Sequence, residues 1–558
     1  MDPSQSEPGW PRIGKSPGRG QALLRDAGRS GRFYCAIAGL LVASAAASLH
    51  ANPVLKGDFP DPSLIRLKGD YWATATSGEW APIFPLLHSR NLVDWQPRGA
   101  VFAAAPAWTA GEYWAPELTE EPASGPGADR YRVYYTAHKK QGPLCVAVAT
   151  APAPAGPYTD HGPLVCQDGG SIDASTVHDE GSRLYLLWKE DGNSRNQPTP
   201  IWAQPLSPDG TRLLGTRREL LRNDAAWEGP LIEGPFALRR AGWFYLFYSG
   251  NACCGRQCRY ALGVARARKL LGPWEKSPHN PILAGNAAWR CPGHGTVVTD
   301  ERGRSFLLYH AYAARDTVYV GRQGLLDEVT WSADGWPRIN DGKGPSGRTV
   351  APLSQPGVRE SDTVATVLAD FTAPQLQPEW QWPAADPPAV RVEPAHGGAV
   401  ELRPGPRHTA PVGELPGAIL ARRLVSGDSL ALAELATDLP AGVLAGLAAC
   451  GDPDNALGIA VGNGAATVWQ RQQGAVRVVA ASGLRLPQGS PLLLRMRVTD
   501  GTRYDFAVGA KEGELVPVGA TLDGAYLPPW DRGVRVALTA AGPGPARFHW
   551  LRLTELRP

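Results

Sequence analysis

The stretch WFYLFYSG, residues 243–250, is a run of aromatic and aliphatic side chains with glycine before it and at its end. Short runs of this composition are typical of β-strands. Four more runs of the same kind occur along the chain, namely DYWATAT (70–76), RYRVYYTA (130–137), RLYLLWKE (183–190) and RSFLLYHA (304–311). Their equivalent aromatic residues are 60, 54, 60 and 61 residues apart, which indicates one structural unit repeated five times.

Each of these units has room for four short strands, and a ring of five such sheets is a five-bladed β-propeller. The first strand of each blade lies nearest the central channel, so residues at its start are expected to gather at one mouth of that channel. Two β-sandwiches with a chance spacing are the alternative. The turn sequences GPYT (156–159) and GPWE (272–275) favour the propeller, because the interior of the units repeats as well.

The chain of 558 residues is too long for one hydrophobic core, and its character changes after the last repeat. We expect an all-β protein with a propeller over 52–345, a linker over 346–365 and a β-sandwich over 366–558. In the stretch LLLRMRV (492–498), the apolar residues should face inward and the two arginines outward.

The N-terminal residues 1–51 resemble a signal peptide with a long basic lead-in. Three arginines, Arg25, Arg29 and Arg32, precede an uncharged run over 33–51 that ends in small residues, where a signal peptidase could cut. A secreted or periplasmic protein is therefore expected. A retained N-terminal anchor is the alternative, because the run is near the length of a membrane span. No other segment could cross a membrane, so no stable membrane partner is expected.

The charge of the chain argues against a nucleic acid partner. The formal net charge of +3 comes from residues 1–34, and the rest of the chain has as many acidic as basic residues. A surface that binds phosphates would need a basic excess.

Three carboxylates occupy matching places in the repeats. Asp61 stands ten residues before the aromatic residue of its unit, and Asp173 and Glu233 each stand twelve before theirs. If the blades superpose, the three side chains converge at the axis. Glycosidic hydrolysis needs two carboxylates across a sugar, one as acid and one as base or nucleophile. A third carboxylate can raise the pKa of the acid. Taken singly, each residue could be ordinary turn chemistry.

The sequences around these carboxylates resemble the catalytic stretches of glycoside hydrolase family 43. They are NPVLKGDFPDPSLIR (52–66), SIDASTVHD (171–179) and LIEGPFAL (231–238), with further likeness in YWAPEL (113–118) and GRQGLLDEVTWSADGWP (321–337). The resemblance covers roughly 52–340 and implies the five-bladed propeller. The sandwich resembles, more loosely, the lectin-like, concanavalin-like C-terminal domain of β-xylosidase-like members.

This resemblance implies roles for the three residues. Asp61 would be the general base, Glu233 the general acid and Asp173 the group that tunes the acid, with inversion at the anomeric carbon. Ala174 departs from the family, which often has proline there. The implied activity is exo-acting removal of terminal α-L-arabinofuranosyl or β-D-xylosyl residues from plant cell-wall oligosaccharides or polysaccharides. A binding-only propeller, a retaining enzyme such as a fructosidase, and a glycosidase acting on another glycan are the alternatives.

Four further residues are candidates for substrate binding. Trp80 and Trp114 are predicted near the mouth, where an aromatic ring can stack on a sugar, although tryptophan also packs as core. His294 starts the fifth unit at the equivalent phase, and the resemblance places such a histidine beneath the substrate, facing a central calcium ion or water. Arg322 matches a substrate-contacting arginine of β-xylosidase-like relatives, with a structural ion pair as the alternative. No cofactor is expected for the chemistry itself. The polar loop 189–200 is expected either to rim the pocket or to form a solvated turn.

The seven cysteines after the leader are expected to form disulfides, since export permits them. We expect one of the three cysteines in 253–258 to pair with Cys291, and Cys145 and Cys166 are a further candidate pair, with the connectivity left open by the sequence. The odd count leaves at least one thiol free, for which the isolated Cys450 is the candidate. The alternative is a zinc site whose spacing would use Cys254, Cys258, Cys291 and His294.

Overall fold

The computed structural model describes residues 49–121, 130–350, 366–408, 414–483 and 490–556. Nearly all of the predicted leader and most of the predicted linker lie outside these ranges. The described chain is almost entirely β. Its helical segments are Thr317–Val320 and the short 3₁₀ turns Gly192–Arg195, Ala226–Glu228, Asn340–Gly342, Ala395–Gly397 and Glu512–Glu514.

Five four-stranded antiparallel sheets follow one another along the chain, and we call them blades I to V. Their strands, from the innermost outward, are Ser63–Leu67, Asp70–Thr74, Ile83–Ser89 and Gln96–Phe102 in blade I; Thr109–Glu120, Tyr131–Lys139, Leu144–Ala151 and Thr159–Cys166 in blade II; Ser171–His178, Leu184–Glu190, Ile201–Pro205 and Arg218–Leu221 in blade III; Ile232–Arg240, Trp243–Gly250, Ala261–Ala267 and Glu275–Lys276 in blade IV; and Trp289–Thr299, Ser305–Ala313, Gln323–Trp331 and Pro337–Ile339 in blade V.

The aromatic runs that define the repeat form the second strand of every blade. Their side chains point alternately to the two faces of each sheet and pack between neighbouring blades. Between blades V and I, for example, Leu64 and Tyr71 pack with Phe306 and Leu308, all nearly inaccessible to solvent. The innermost strands of consecutive blades contact one another in a closed ring, which confirms the predicted propeller.

The ring is closed by the residues just before blade I. Leu55 exchanges backbone hydrogen bonds with Gly324 of blade V. The Asn52 side chain donates to the carbonyl of Leu326 and accepts from its N–H, each at 3.0 Å. Two short strands outside the blades, Leu49–Ala51 and Arg348–Val350, also pair, so ordered structure continues past 345 into the predicted linker.

The C-terminal domain is a β-sandwich of two antiparallel sheets. Its apolar core contains the alternating residues predicted from LLLRMRV, and Leu494, Met496 and Val498 are at most 1% exposed. The larger sheet contains Thr366–Ala369, Ala389–Glu393, Ala399–Arg403, Ser429–Leu435, Leu492–Thr499, Arg503–Gly509, Val516–Pro517, Leu522–Asp523 and Ala546–Glu555. The smaller sheet contains Ala418–Arg423, Leu444–Asp452, Asn455–Gly462, Ala465–Gln472, Ala475–Gly483 and Arg535–Ala541.

The sandwich is fastened to the mouth of the propeller through a buried ion pair. Asp58, three residues before Asp61, is 3.0 Å from Nη2 of Arg535, and both side chains are 2% exposed. Its carboxylate also accepts the backbone N–H groups of Arg322 and Gly533, each at 3.1 Å. Such a buried carboxylate is tolerated only when it is paired and hydrogen-bonded in this way. The sandwich is therefore held within a few residues of the predicted base.

Candidate active site

Every blade has a residue in the left-handed conformation at a matching place near the axis, within its innermost strand or, in blade I, two residues before it. These residues are Asp61, Ala115, Asp173, Gly234 and His294, with φ between 41° and 59°. In blades II to V the pairing with the second strand shifts register at this point. A β-bulge of this kind re-aims the side chain that it carries. The left-handed residue, with a bulge beside it in blades II to V, therefore presents one position from every blade to the axis.

Hydrogen bonds between neighbouring blades hold these bulges in place. In four cases the backbone N–H of the left-handed residue donates to a polar side chain on or just after the second strand of the preceding blade. The pairs are Ala115 to Thr76 Oγ1 at 2.7 Å, Asp173 to Thr136 Oγ1 at 3.2 Å, His294 to Ser249 Oγ at 2.9 Å and Asp61 to His310 Nδ1 at 3.0 Å. Because an unpaired buried N–H is costly, each pair fixes the direction of the neighbouring axial side chain.

Blade III departs from this pattern because it has Lys189 at the equivalent position, and an ammonium group cannot accept a hydrogen bond. The N–H of Gly234 donates instead to Oδ2 of Asp173 at 3.0 Å. The Lys189 ammonium, 1% exposed, contacts Oε2 of Glu233 and Oδ1 of Asp191, each at 2.7 Å. One departure from the repeat thus connects the carboxylates of blades III and IV.

Glu233 reaches the axis from one residue before the bulge of blade IV, which lies at Gly234. A Cβ atom at Gly234 would lie 3.0 Å from Cγ of His294, so glycine there leaves room for the histidine ring. Asp173 lies at its bulge and Glu233 one residue before its own, yet both stand twelve residues before the aromatic residue of their unit. The two counts agree because the hairpin turn of blade III is longer than that of blade IV. The predicted phase is right to within one residue.

Asp61 is an ionised carboxylate surrounded by donors. Its Oδ1 lies 2.9 Å from Nη1 of Arg322 and 3.4 Å from Nδ1 of His294, and its Oδ2 accepts from Oγ1 of Thr76 at 2.7 Å. Burial acts against ionisation, yet Arg322 and His294 hold the pKa of Asp61 well below its ordinary value. Burial also lowers the pKa of His310 to about 4, so this ring is neutral when it accepts the N–H of Asp61. Asp61 can therefore accept a proton from a bound water.

Asp173 is in the opposite electrostatic situation. Burial, together with the negative charges of Glu233 and Asp61, raises the pKa of Asp173 to about 7, against the opposing influence of His294 and Lys189. His294 lies between the two aspartates, with Nδ1 4.0 Å from Oδ2 of Asp173. The site therefore has one carboxyl group that is always ionised and one that holds a proton near neutral pH, as acid–base catalysis requires.

A cavity of about 570 Å³ opens directly onto these groups. Its wall includes the three predicted carboxylates and His294, Arg322 and Trp114, together with Asn193, Ser194 and Arg195 from the loop 189–200. The sandwich contributes Trp530 and Asp531. The Trp530 ring meets that of Trp114 edge to face at 6.0 Å, and Nη2 of Arg322 donates to the carbonyl of Asp531 at 3.0 Å. Both domains therefore build one pocket.

The comparisons with known proteins agree with this architecture. The family model of glycosyl hydrolases family 43 matches residues 50–337, which is slightly more than half of the chain. The chain belongs to glycosyl hydrolases family 43. In this family 43 chain, residues 369–554 match a second model, described as the beta xylosidase C-terminal concanavalin A-like domain.

Curated relatives share part of the chain at modest identity. Xylosidase/arabinosidase 43B of Humicola insolens is 29% identical over 324 residues, which are 53% of this chain and 56% of that protein. Extracellular exo-alpha-(1->5)-L-arabinofuranosidase ArbA of Cellvibrio japonicus is 24% identical over 315 residues, 51% of this chain and 87% of that protein. The chain thus spans about half the length of the first of these relatives.

Solved structures match across both domains. BlXynB of Bacillus licheniformis has a TM-score of 0.77 at 23% identity, covering 91% of this chain and 100% of that one. Xylan beta-1,4-xylosidase from Bacillus halodurans C-125 has a TM-score of 0.74, with the same identity and coverage. At this identity the likeness concerns the fold, and it supports the arrangement of a propeller followed by a sandwich.

The structure corrects one predicted site residue of the family 43 chain. Trp80 is 3% exposed and lies outside the catalytic cavity. The strand Trp80–Ala81 pairs with Trp382–Pro383 of the sandwich, and the guanidinium of Arg535 lies 5.5 Å from the Trp80 ring centroid. The prediction of a stacking platform at Trp80 is wrong, because a large apolar ring on this face is buried once the sandwich docks.

Several residues of the site escaped the sequence analysis. Lys189, Thr76 and His310 all lie at or near the ends of the aromatic runs, so the repeat that located the axis also pointed to them. Glu117, two residues after the bulge of blade II, lines a cavity of about 10 Å³ near Asp61 and His294, and burial raises the pKa of Glu117 to about 7.

The cysteines pair largely as expected. Cys145 bonds to Cys166 and Cys258 to Cys291, while Cys450 is free and buried. A third disulfide joins the adjacent residues Cys253 and Cys254. The zinc alternative is wrong, because all three of its cysteine ligands are oxidised.

The residues at the axis do not form a calcium cage. Calcium takes six to eight oxygen ligands, and nowhere in the described ranges do three or more His, Cys, Asp or Glu side chains group in a way that could hold a metal ion. The described segments also contain no helix long and apolar enough to cross a membrane.

Proposed function

We propose that the protein is an inverting exo-glycosidase that removes terminal α-L-arabinofuranosyl or β-D-xylosyl residues from plant cell-wall oligosaccharides or polysaccharides. The observation that carries the proposal is the contrast between two carboxyl groups in one cavity. Asp61 is held ionised by Arg322 and His294, whereas burial raises the pKa of Asp173 to about 7. Glycosidic hydrolysis needs such a division between a base and a protonated partner.

In this proposal each carboxylate has one task. Asp61 removes a proton from the water that attacks the anomeric carbon. Glu233 delivers a proton to the leaving oxygen on the opposite side of the sugar. Asp173 tunes the acid and fixes its position, since its carboxylate accepts the N–H of Gly234, the residue after Glu233, at 3.0 Å. Lys189 holds Glu233 through the contact at 2.7 Å.

The cavity wall supplies groups that suit a sugar. Nε1 of Trp114 and Oδ1 of Asn193 are buried without a hydrogen-bond partner among the described residues. Polar atoms of this kind are costly unless a ligand satisfies them, and sugar hydroxyls can do so. The guanidinium of Arg322 is a further donor on the wall. The loop of the sandwich at Trp530 narrows the cavity beside Trp114, which favours attack at a chain end.

The proposed sugars are those of the relatives, which include proteins named as xylosidases and arabinosidases. One of them is named as extracellular, in line with the predicted export signal of this chain. We therefore extend the proposal to a secreted or periplasmic enzyme with no nucleic acid partner.

The calcium ion that the family resemblance implies beside His294 is a separate proposal. An ion there would take most of its ligands from water rather than from protein. Its test is the melting temperature before and after EDTA treatment. A fall that added calcium reverses supports the ion, and an unchanged value opposes it.

The proposed activity is tested with paired chromogenic substrates, an aryl α-L-arabinofuranoside and an aryl β-D-xyloside. The wild-type protein should hydrolyse at least one of them. Asp61→Asn and Glu233→Gln should each lower the rate by about 10²–10⁴-fold or more, with an unchanged melting temperature. Absence of turnover of both sugars, or near-normal turnover in either variant, would overturn the proposal.

A further inference from the structure

The disulfide between the adjacent residues Cys253 and Cys254 lies on the wall of the catalytic cavity. Both residues line the cavity that contains Glu233, Asp173 and Asp61. Both are partly exposed, whereas Cys258 and Cys291, which form the next disulfide along the chain, are 6% and 5% exposed. The sulfur atoms of this pair are therefore accessible to whatever occupies the cavity.

The segment that contains the pair is firmly held. Cys258, four residues further on, bonds to Cys291 of blade V. The N–H of Gly255 donates to the Tyr312 hydroxyl at 3.2 Å. The Arg256 guanidinium donates to the carbonyl of Ala525 in the sandwich at 2.8 Å. A group fixed in this way loses little freedom on binding, which favours a contact surface.

The pair also abuts the part of the sandwich that closes the cavity. A Cβ atom at Gly255 would lie 3.4 Å from the carbonyl oxygen of Trp530, and the Trp530 ring contacts Trp114. Cys253 itself packs against a buried apolar cluster that includes Cys258 and Tyr260 of the propeller and continues into the core of the sandwich. The disulfide, Trp530 and Trp114 therefore form adjoining parts of one apolar rim.

Stabilisation of the fold does not account for this disulfide. A disulfide stabilises mainly by closing a loop in the unfolded chain, and longer loops give more. Cys145–Cys166 and Cys258–Cys291 span 21 and 33 residues, whereas Cys253 and Cys254 are neighbours. A bond between neighbours restrains very little of the unfolded chain.

From these observations we infer that the Cys253–Cys254 disulfide is a substrate-contact surface, against which the C–H face of a bound sugar packs. Disulfide sulfur is soft and polarizable and makes apolar contacts in the way that other sulfur side chains do. Binding pockets pair such surfaces with a few polar groups that fix orientation, and here the carboxylates, Arg322 and Asn193 supply the polar groups. This inference rests on the proposed glycosidase function.

The first test compares two double variants with the wild type on the aryl glycoside that the wild type hydrolyses. Cys253→Ala/Cys254→Ala should raise KM about 3- to 10-fold, the size of a sulfur contact, with little change in melting temperature. The matched control Cys145→Ala/Cys166→Ala should lower the melting temperature and leave KM unchanged, because it removes a loop-closing disulfide whose two cysteines are not part of the cavity wall. An unchanged KM in the first variant overturns the inference.

A second measurement uses the wild-type protein and so does not depend on how a variant folds. A phosphine reductant opens accessible disulfides, and iodoacetamide then labels the freed thiols. Trypsin releases Cys253 and Cys254 in the peptide 241–256, which does not contain Cys258. It releases the control cysteines, Cys145 and Cys166, in the peptide 141–183. Saturating product sugar should slow labelling of 241–256 at least about 3-fold, as competition at the same surface requires, and should not affect 141–183. Equal labelling with and without sugar overturns the inference. If the wild type hydrolyses neither sugar, the proposed function itself fails, which is a different result.

Discussion

Replacing Lys189 by methionine tests how charge is arranged between blades III and IV. The Lys189 ammonium is 1% exposed and lies 2.7 Å from both Glu233 and Asp191, and it is one of the groups that lower the pKa of Asp173. Methionine has similar length and suits a buried site. Because the positive charge favours ionised Asp173, its removal should raise the pKa of Asp173 above its value of about 7.

The expected shift is about one pKa unit, or about 1.4 kcal/mol. An opposite charge close to a carboxylate lowers its pKa by about 1–3 units. The lower end applies because the shortest contacts of Lys189 are to Glu233 and Asp191 rather than to Asp173. In terms of activity, the alkaline limb of kcat/KM reports loss of a proton that the active protein needs, and in this proposal that proton is the one on Asp173, which tunes the acid Glu233. The limb should lie near pH 7 in the wild type and about one unit higher in the variant, as the pKa of Asp173 predicts.

The assay is the pH profile of kcat/KM on the aryl glycoside, with each protein checked for stability by returning it to neutral pH. Asp191→Asn is the matched control, since it removes one partner of Lys189 but keeps the ammonium beside Glu233. The alkaline limb of the kcat/KM profile of Asp191→Asn should lie at the same pH as that of the wild type. A limb in Lys189→Met that is unmoved or displaced to lower pH would refute the assignment of charges.

Four other substitutions probe separate parts of the structure. Asp58→Ala leaves a buried arginine unpaired and should lower the free energy of unfolding by about 3–5 kcal/mol, measured by denaturant titration; a loss below about 1 kcal/mol would count against the buried ion pair. Trp530→Ala should raise KM about 5- to 30-fold, equivalent to about 1–2 kcal/mol, whereas Trp80→Ala should cost about 3–5 kcal/mol of stability with KM unchanged; the reverse outcome would restore Trp80 to the binding site. Thr76→Val removes a donor to Asp61 and should lower kcat about 10- to 100-fold through misplacement, and a kcat within twofold of wild type would show that the hydrogen bond does not position the base.

The repeat carried most of what the sequence could predict. Spacing of aromatic residues located five second strands. The carboxylates before them lie at the axis because every blade has a left-handed residue at the matching point, with a bulge beside it in blades II to V. The number of residues between each carboxylate and the aromatic residue of its repeat includes the hairpin turn. Because the length of that turn varies, this number could not reveal that Glu233 lies one residue before its bulge. Lys189 ends an aromatic run, but only the hydrogen bonds between blades show that it occupies an acceptor position.

Contacts between the domains were beyond the reach of local patterns. Trp80 and Trp530 are both tryptophans in turn-rich sequence, yet the first is buried beneath the sandwich and the second is 60% exposed at the cavity. Which surface each one faces depends on how the two domains dock. That docking is fixed by pairs such as Asp58 with Arg535, which are 477 residues apart in the chain.

The anomeric configuration of the first-formed sugar tests most directly whether Asp61 acts as a general base on water. Proton NMR during hydrolysis of the aryl glycoside by the wild-type protein resolves the anomer released before mutarotation. Inversion is expected, because Asp61 activates a water and does not bond to the sugar. A first-formed product with the configuration of the substrate would contradict it, since retention requires a carboxylate nucleophile and a covalent intermediate.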